Sequence, residues 1–159
     1  MNKRAILKKI IAKLVGELDV YVRAAQYSRA EATHEQNKPE NKYDTRGLEA
    51  SYLARGQSKQ LAELEAAIVE FEKIGVRKFE AGDAVAVGAL VAVEQLGETS
   101  FYFIGPRAGG TEIIHDKQEI LIITPQSPLG EQLVGKKAGD RPQLKLGGEL
   151  RPAKIVSVE

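Results

Sequence analysis

The sequence predicts an α+β protein, with an N-terminal antiparallel coiled-coil helical hairpin followed by a small antiparallel β-sheet domain with one short helix. Three observations predict it. Apolar residues in the first half recur every three or four positions. Glycine and proline are scarce before Gly75 and recur every few residues after it. Short β-branched runs separated by turn residues fill the second half. The expected division is residues 1–74 for the hairpin and 75–159 for the β domain.

The first helix carries a heptad seam at Leu7, Ile11, Leu14, Leu18, Tyr21 and Ala25. The second carries the same alternation at Gly47, Ala50, Ala54, Gln57, Leu61, Leu64, Ile68 and Phe71. Spacing that averages about 3.5 residues keeps one stripe turned toward a partner helix. The turn belongs near residues 36–39, because Pro39 does not fit a helix interior. Large side chains lie toward the open end of the seam and small ones toward the turn, so the base is expected to carry the packing and the tip to be slim. Two helices of roughly 30 residues are about 45 Å long. A dimerising coiled coil or a simple spacer has the same periodicity.

In the second half, Val85, Val87, Ala89, Val91 and Val93 alternate as a strand does. Residues 101–104, 119–123, 144–146 and 155–158 are the other expected strands. The turn signals are residues 81–83, 105–106, 109–110 and 147–148. The glycine-rich stretch 105–110 reads as a hairpin turn, since it lacks the lysine and following helix of a phosphate-binding loop. Ser127 as N-cap, Pro128 at the first helical position and Gly135 as the stop mark the short helix.

Composition excludes several functions. There is no cysteine, so no disulfide, thiolate metal site or cysteine nucleophile. The formal net charge is +1, unlike the basic domain of a dedicated nucleic-acid binder. The first apolar run, residues 5–15, is broken by Lys8, Lys9 and Lys13. It is too short and too charged to span a membrane, and a cytoplasmic protein without a membrane partner is expected. His34 and His115 are read as surface or packing residues. Lys3, Arg4, Lys8, Lys9 and Lys13 are read as a solvated helix face.

One chemical cluster remains, at the hairpin tip. Glu31, Glu35, Glu40, Asp44 and Glu49 are interleaved with Lys38, Lys42 and Arg46. Glu40 and Asp44, four apart, share a helix face. Carboxylates at a protruding point suit a hard cation such as magnesium if a partner supplies further ligands. The same residues also fit a capping box, with Asn37 as N-cap and Glu40 reaching back to it.

Residues 127–140, Ser-Pro-Leu-Gly-Glu-Gln-Leu-Val-Gly-Lys-Lys-Ala-Gly-Asp, resemble the C-terminal signature of the GreA/GreB transcription factors. The closing stretch 155–159 resembles that family's last strand, and Glu40-Asn41 with Tyr43 resembles its hairpin tip. The order of parts agrees along the whole chain. The resemblance implies an FKBP-like fold for the C-terminal domain. It implies a bacterial RNA polymerase partner, with the hairpin entering the secondary channel and Ser127, Pro128, Leu129 and Gly130 docking on the enzyme. It also implies that tip acids help hold a magnesium ion shared with the polymerase active site, where backtracked RNA is cleaved. The factor would then be a monomer with no intrinsic cofactor and no enzymatic activity of its own. It would touch the RNA or DNA of the elongation complex only indirectly. The candidate tip ligands are Glu40, Asp44, Glu35 and Asn37. Aligned on Glu40-Asn41, the sequence puts neutral Asn37 where the family has aspartate. Two alternatives stand beside cleavage stimulation: an inhibitor that occupies the channel or competes with cleavage factors, and a peptidyl-prolyl isomerase with a dimerising stalk.

Overall fold

The computed structural model describes the chain over residues 1–33 and 46–159. Helix α1 spans Lys3–Thr33 and α2 spans Arg46–Ile74. Asn2 opens α1: its Oδ1 accepts from the Ala5 amide at 3.1 Å. This cap satisfies a donor that the first helical turn leaves orphaned. Helix α2 stops where Gly75 takes a positive φ of 53°, a backbone turn that glycine adopts without steric cost.

The chain divides into two compact units, one formed by Ala12–Ile68 and one by Met1–Ile11 together with Val69–Glu159. In the first, Leu14, Leu64 and Ala67 are buried. Leu18, Tyr21, Leu61 and Ile68 are half-buried. All but Ala67 are seam positions of the heptad pattern. Val15, Val20 and Tyr27, off the seam, are exposed.

The second unit is built on a five-stranded sheet of order β3-β4-β2-β1-β7. Its strands are β1 (Leu90–Gln95), β2 (Glu98–Ile104), β3 (Glu112–His115), β4 (Gln118–Ile123) and β7 (Lys154–Val158). Helix α3 (Pro128–Leu133) follows β4. A separate ribbon pairs β5 (Gln143–Leu146) with β6 (Glu149–Pro152). Because side chains alternate along a strand, the sheet has two apolar faces. On one, Val91, Val93, Tyr102, Ile104, Ile123 and Ile155 form a core with Leu133 of α3 and Leu144 of β5. On the other, Leu90, Ala92, Phe103, Ile120 and Ile122 are buried. Phe71 of α2 meets Phe103 there, ring centroids 6.2 Å apart. Ile6, Leu7 and Ile10 of α1 are buried in the same unit. The heptad reading missed Ile6 and Ile10 because a helix end packed in a globular unit buries a wider stripe than a coiled-coil seam does.

Two expectations for the β half are corrected. The sheet is mixed and not purely antiparallel, for β2 pairs β4 in parallel, Phe101 opposite Ile120 and Phe103 opposite Ile122. The cause is residues 105–110, which form no hairpin turn. They carry the chain past one strand position to the sheet edge, where β3 forms. The tight turn at Asp116 and Lys117 then returns β4 into the slot beside β2. A strand entering a slot after two reversals runs parallel to the strand that began them. The second correction concerns the alternation from Val85 to Val93. The strand begins only at Leu90, since Gly88 has a φ of 91°. Val85 and Ala89 are nevertheless buried, so the apolar pattern reported burial and not strand. Strands β3 and β6 were not expected at all. The four residues of β6 are exposed throughout, leaving no apolar alternation to read.

Candidate functional site

Glu35, Asn37, Glu40 and Asp44, the expected tip ligands, lie outside the described residues, as does His34. The segment Ser127–Gly130 is described in full. Ser127 has extended backbone angles and caps α3: its Oγ accepts from the Gly130 amide at 3.0 Å and donates to the Thr124 carbonyl at 2.7 Å. Pro128 takes the first helical position, where its missing N–H costs nothing. A Cβ added at Gly130 would sit 1.8 Å from the Thr124 carbonyl oxygen. That spacing admits only glycine. Ser127 and Gly130 are therefore committed to holding α3 against the loop before it.

The other two residues of the segment differ. Pro128 is exposed, and Leu129 is half-buried against the sheet core. Glu131 of α3 and Val134, the residue just after that helix, are exposed. Gln132 ties α3 to β5, its Oε1 accepting from the Lys145 amide at 2.7 Å and its Nε2 donating to the Pro128 carbonyl at 2.9 Å. Leu133 is fully buried. The segment thus presents a proline and part of a leucine on a short helix locked at both ends.

Lys9 and Lys3, near the start of α1, do more than face solvent. Lys9 donates through Nζ to the Ile114 carbonyl at 2.9 Å, covering an outward group of edge strand β3. Lys3 donates to the main-chain oxygens of Arg77 and Glu159 and lies 4.6 Å from the Phe79 ring centroid. Arg77 lies 4.9 Å from the same centroid. Burial lowers the Lys3 ammonium from 10.5 to about 8, Glu159 opposing the shift and Arg77 adding to it. Between these two values the unfolded chain retains a proton that the folded chain has released. Stability linked to Lys3 therefore rises with pH from about 8 upward, and the unfavourable contribution is complete below that. Relative to Lys3→Met, the unmodified chain is expected to gain stability as pH rises from neutral toward 10.5. Urea unfolding at several pH values measures this, and a constant difference across the window would contradict it.

His115 is a packing residue. It is buried at the end of β3, with neither ring nitrogen hydrogen-bonded, and its Nε2 is 3.2 Å from Asp116 Oδ2. The sequence reading also missed the contact between α2 and the 105–110 loop. Arg107 Nε donates to Glu70 Oε1 at 2.7 Å. A Cβ on Gly105 would meet Phe71 Cζ at 2.7 Å and Ile122 Cγ2 at 2.9 Å. The only signal for this close approach was a glycine bordering an apolar run. Among the described residues, no three carboxylate or imidazole side chains converge as a metal site. No helix there is long and apolar enough to cross a membrane.

Two helices in succession, then a mixed sheet with a Ser-Pro-capped helix, give the chain the order of parts expected of a Gre-like protein. Over 82 residues it is 34% identical to the transcription elongation factor GreA of Streptococcus suis (strain 05ZYH33). Over the same length it is 33% identical to the GreA of Streptococcus pyogenes serotype M5 (strain Manfredo). Each alignment covers 50% of this chain and 47% of the relative, so the chain spans about half the length of the curated relatives it matches. Over that half it is similar to GreA, and divergent from it. Two solved structures that also align are both of Gfh1, or GreA factor homolog 1. The protein from Thermus thermophilus is 21% identical, with a TM-score of 0.39 and 94% of each chain covered. That from Thermus aquaticus is 20% identical, with a TM-score of 0.41, covering 93% of this chain and 92% of its own. No protein-family profile matches the chain.

Proposed function

We propose that this chain is a Gre-like factor that binds bacterial RNA polymerase and inserts its helical hairpin into the secondary channel, modulating elongation or the cleavage of backtracked RNA. The observation that carries the reading is the 34% identity over 82 residues to proteins named transcription elongation factor GreA. The build of residues 127–130 supports it, because a locked helix start presenting Pro128 is a rigid docking element. Residues 1–74 are the hairpin in this proposal and residues 75–159 an FKBP-like docking domain. The factor works in the cytoplasm as a monomer, is not itself an enzyme and meets RNA or DNA only through the polymerase.

The tip offers carboxylate oxygens at Glu35, Glu40 and Asp44, the donor type that magnesium prefers. A magnesium ion shared with the polymerase would supply the activation of water for RNA cleavage. The chain's own part is to bring negative charge and oxygen donors to that ion. Asn37, neutral where the Gre pattern has aspartate, weakens this donor set and favours a second reading. In it the chain fills the channel without promoting cleavage and so excludes cleavage-stimulating factors.

A transcript-cleavage assay on stalled elongation complexes separates the two. Faster RNA shortening that Glu40→Ala reduces at least tenfold supports metal delivery. Protection of the RNA from an added cleavage factor supports occlusion. If the chain neither binds the polymerase nor changes cleavage in either direction, both readings fail.

A further inference from the structure

The turn between β1 and β2 consists of Leu96 and Gly97, both with positive φ, 54° and 81°. A two-residue turn of this kind favours asparagine, aspartate or glycine, because other side chains strain a left-handed backbone. Leu96 incurs that strain without the return of burial, for it is 73% exposed. Neither backbone preference nor packing accounts for a leucine here. A second exposed leucine lies on the neighbouring ribbon: Leu150 of β6 is 65% exposed. The ribbon is tied to the hairpin by Gln95, whose Nε2 donates to the Arg151 carbonyl at 3.3 Å.

Beside Leu96 opens a shallow cleft of about 200 Å³, to which Pro152, Glu94, Arg141 and Lys154 contribute. The charges divide unevenly. Arg151 is bound to Glu149 through its Nε at 3.0 Å, whereas Arg141 and Lys154 make no ion pair among the described residues. The cleft thus has one carboxylate, two unpaired cations and an apolar knob at its edge. Exposed leucines fit an apolar socket in a protein and have no counterpart on a nucleic-acid backbone. Two unpaired cations at the rim favour an acidic surround for that socket.

We propose that Leu96 is a second contact to RNA polymerase, seating in an apolar socket on an acidic surface of that enzyme. This rests on the polymerase reading above and adds a surface apart from residues 127–130. The knob supplies the desolvated anchor, and Arg141 and Lys154 steer and orient the approach.

The test measures binding of the full chain to purified core RNA polymerase, at low and at near-physiological salt. Leu96→Asn is expected to loosen binding about tenfold, the scale of an interface hot spot. It is also expected to raise the melting temperature, since asparagine suits a left-handed turn. A merely structural leucine would not give that pair of changes. The double variant Arg141→Glu/Lys154→Glu is expected to slow association and flatten the salt dependence. If the unaltered chain binds and Leu96→Asn binds equally tightly, the knob is overturned and the polymerase reading stands. If the unaltered chain does not bind at all, both are overturned. Binding of the unaltered chain to single-stranded RNA alone, lost in the charge variant, would reassign the surface to nucleic acid and overturn the proposal.

Discussion

Replacing Gly130 by alanine is expected to lower the stability of the chain by about 3 kcal/mol. The added methyl would stand 1.8 Å from the Thr124 carbonyl oxygen, against a normal carbon–oxygen contact of about 3.3 Å. The obstacle is backbone, so no side chain can swing aside. The start of α3 must move away, and in moving it breaks the hydrogen bonds of Ser127 Oγ to the Gly130 amide and the Thr124 carbonyl. Loss of such a cap costs roughly 1 kcal/mol, and forced overpacking adds about 1–3 kcal/mol. Thermal unfolding reads the result as a fall of roughly 6–12 °C for a domain of this size. The sign is diagnostic, because alanine for glycine inside a helix ordinarily stabilises by about 1 kcal/mol. An unchanged or raised melting temperature would refute the described packing of α3. The same substitution is expected to weaken any docking through Pro128 by moving the helix that carries it.

Phe71→Ala is expected to cost about 3–5 kcal/mol, the range for deleting a buried aromatic ring. Phe71 is fully buried, tilted 34° against Phe103, and packed so closely on Gly105 that a Cβ there would meet its ring. Gly105 has no side chain to move into the space, and Phe103 is held in a strand paired on both sides, opposite Leu90 and Ile122. The cavity therefore cannot collapse easily, which places the cost toward the upper end. Denaturant unfolding should show a lower midpoint at nearly unchanged slope. A loss below about 1 kcal/mol would mean that the end of α2 is not anchored on the sheet through this ring. Phe71→Leu, which retains most of the volume, should lose distinctly less.

The α+β division, the existence of both long helices and the capping of α3 were legible in the sequence. Each depends on local order: seam spacing at Leu14, Leu64 and Phe71, scarcity of glycine and proline, and Ser127-Pro128 ahead of an apolar turn. Residues 127–130 were legible as a motif, but not the division of labour within it. Serine at a cap and serine in an interface look alike in sequence, and only the contact with Thr124 separates them. The roles of Lys3 and Lys9 were hidden for a related reason. Their acceptors, the main-chain oxygens of Arg77, Glu159 and Ile114, are supplied by backbone far along the chain and carry no residue signature.

Periodicity and capping chemistry act within a few residues, so the sequence by itself determined the two long helices, the apolar seam along them and the start of α3. Tertiary structure alone decided the strand order, the parallel β2–β4 pair, the need for glycine at 130, the close approach at 105, and the left-handed leucine at 96. These depend on which distant backbone comes within a few ångströms, and nothing local to those residues encodes that distance.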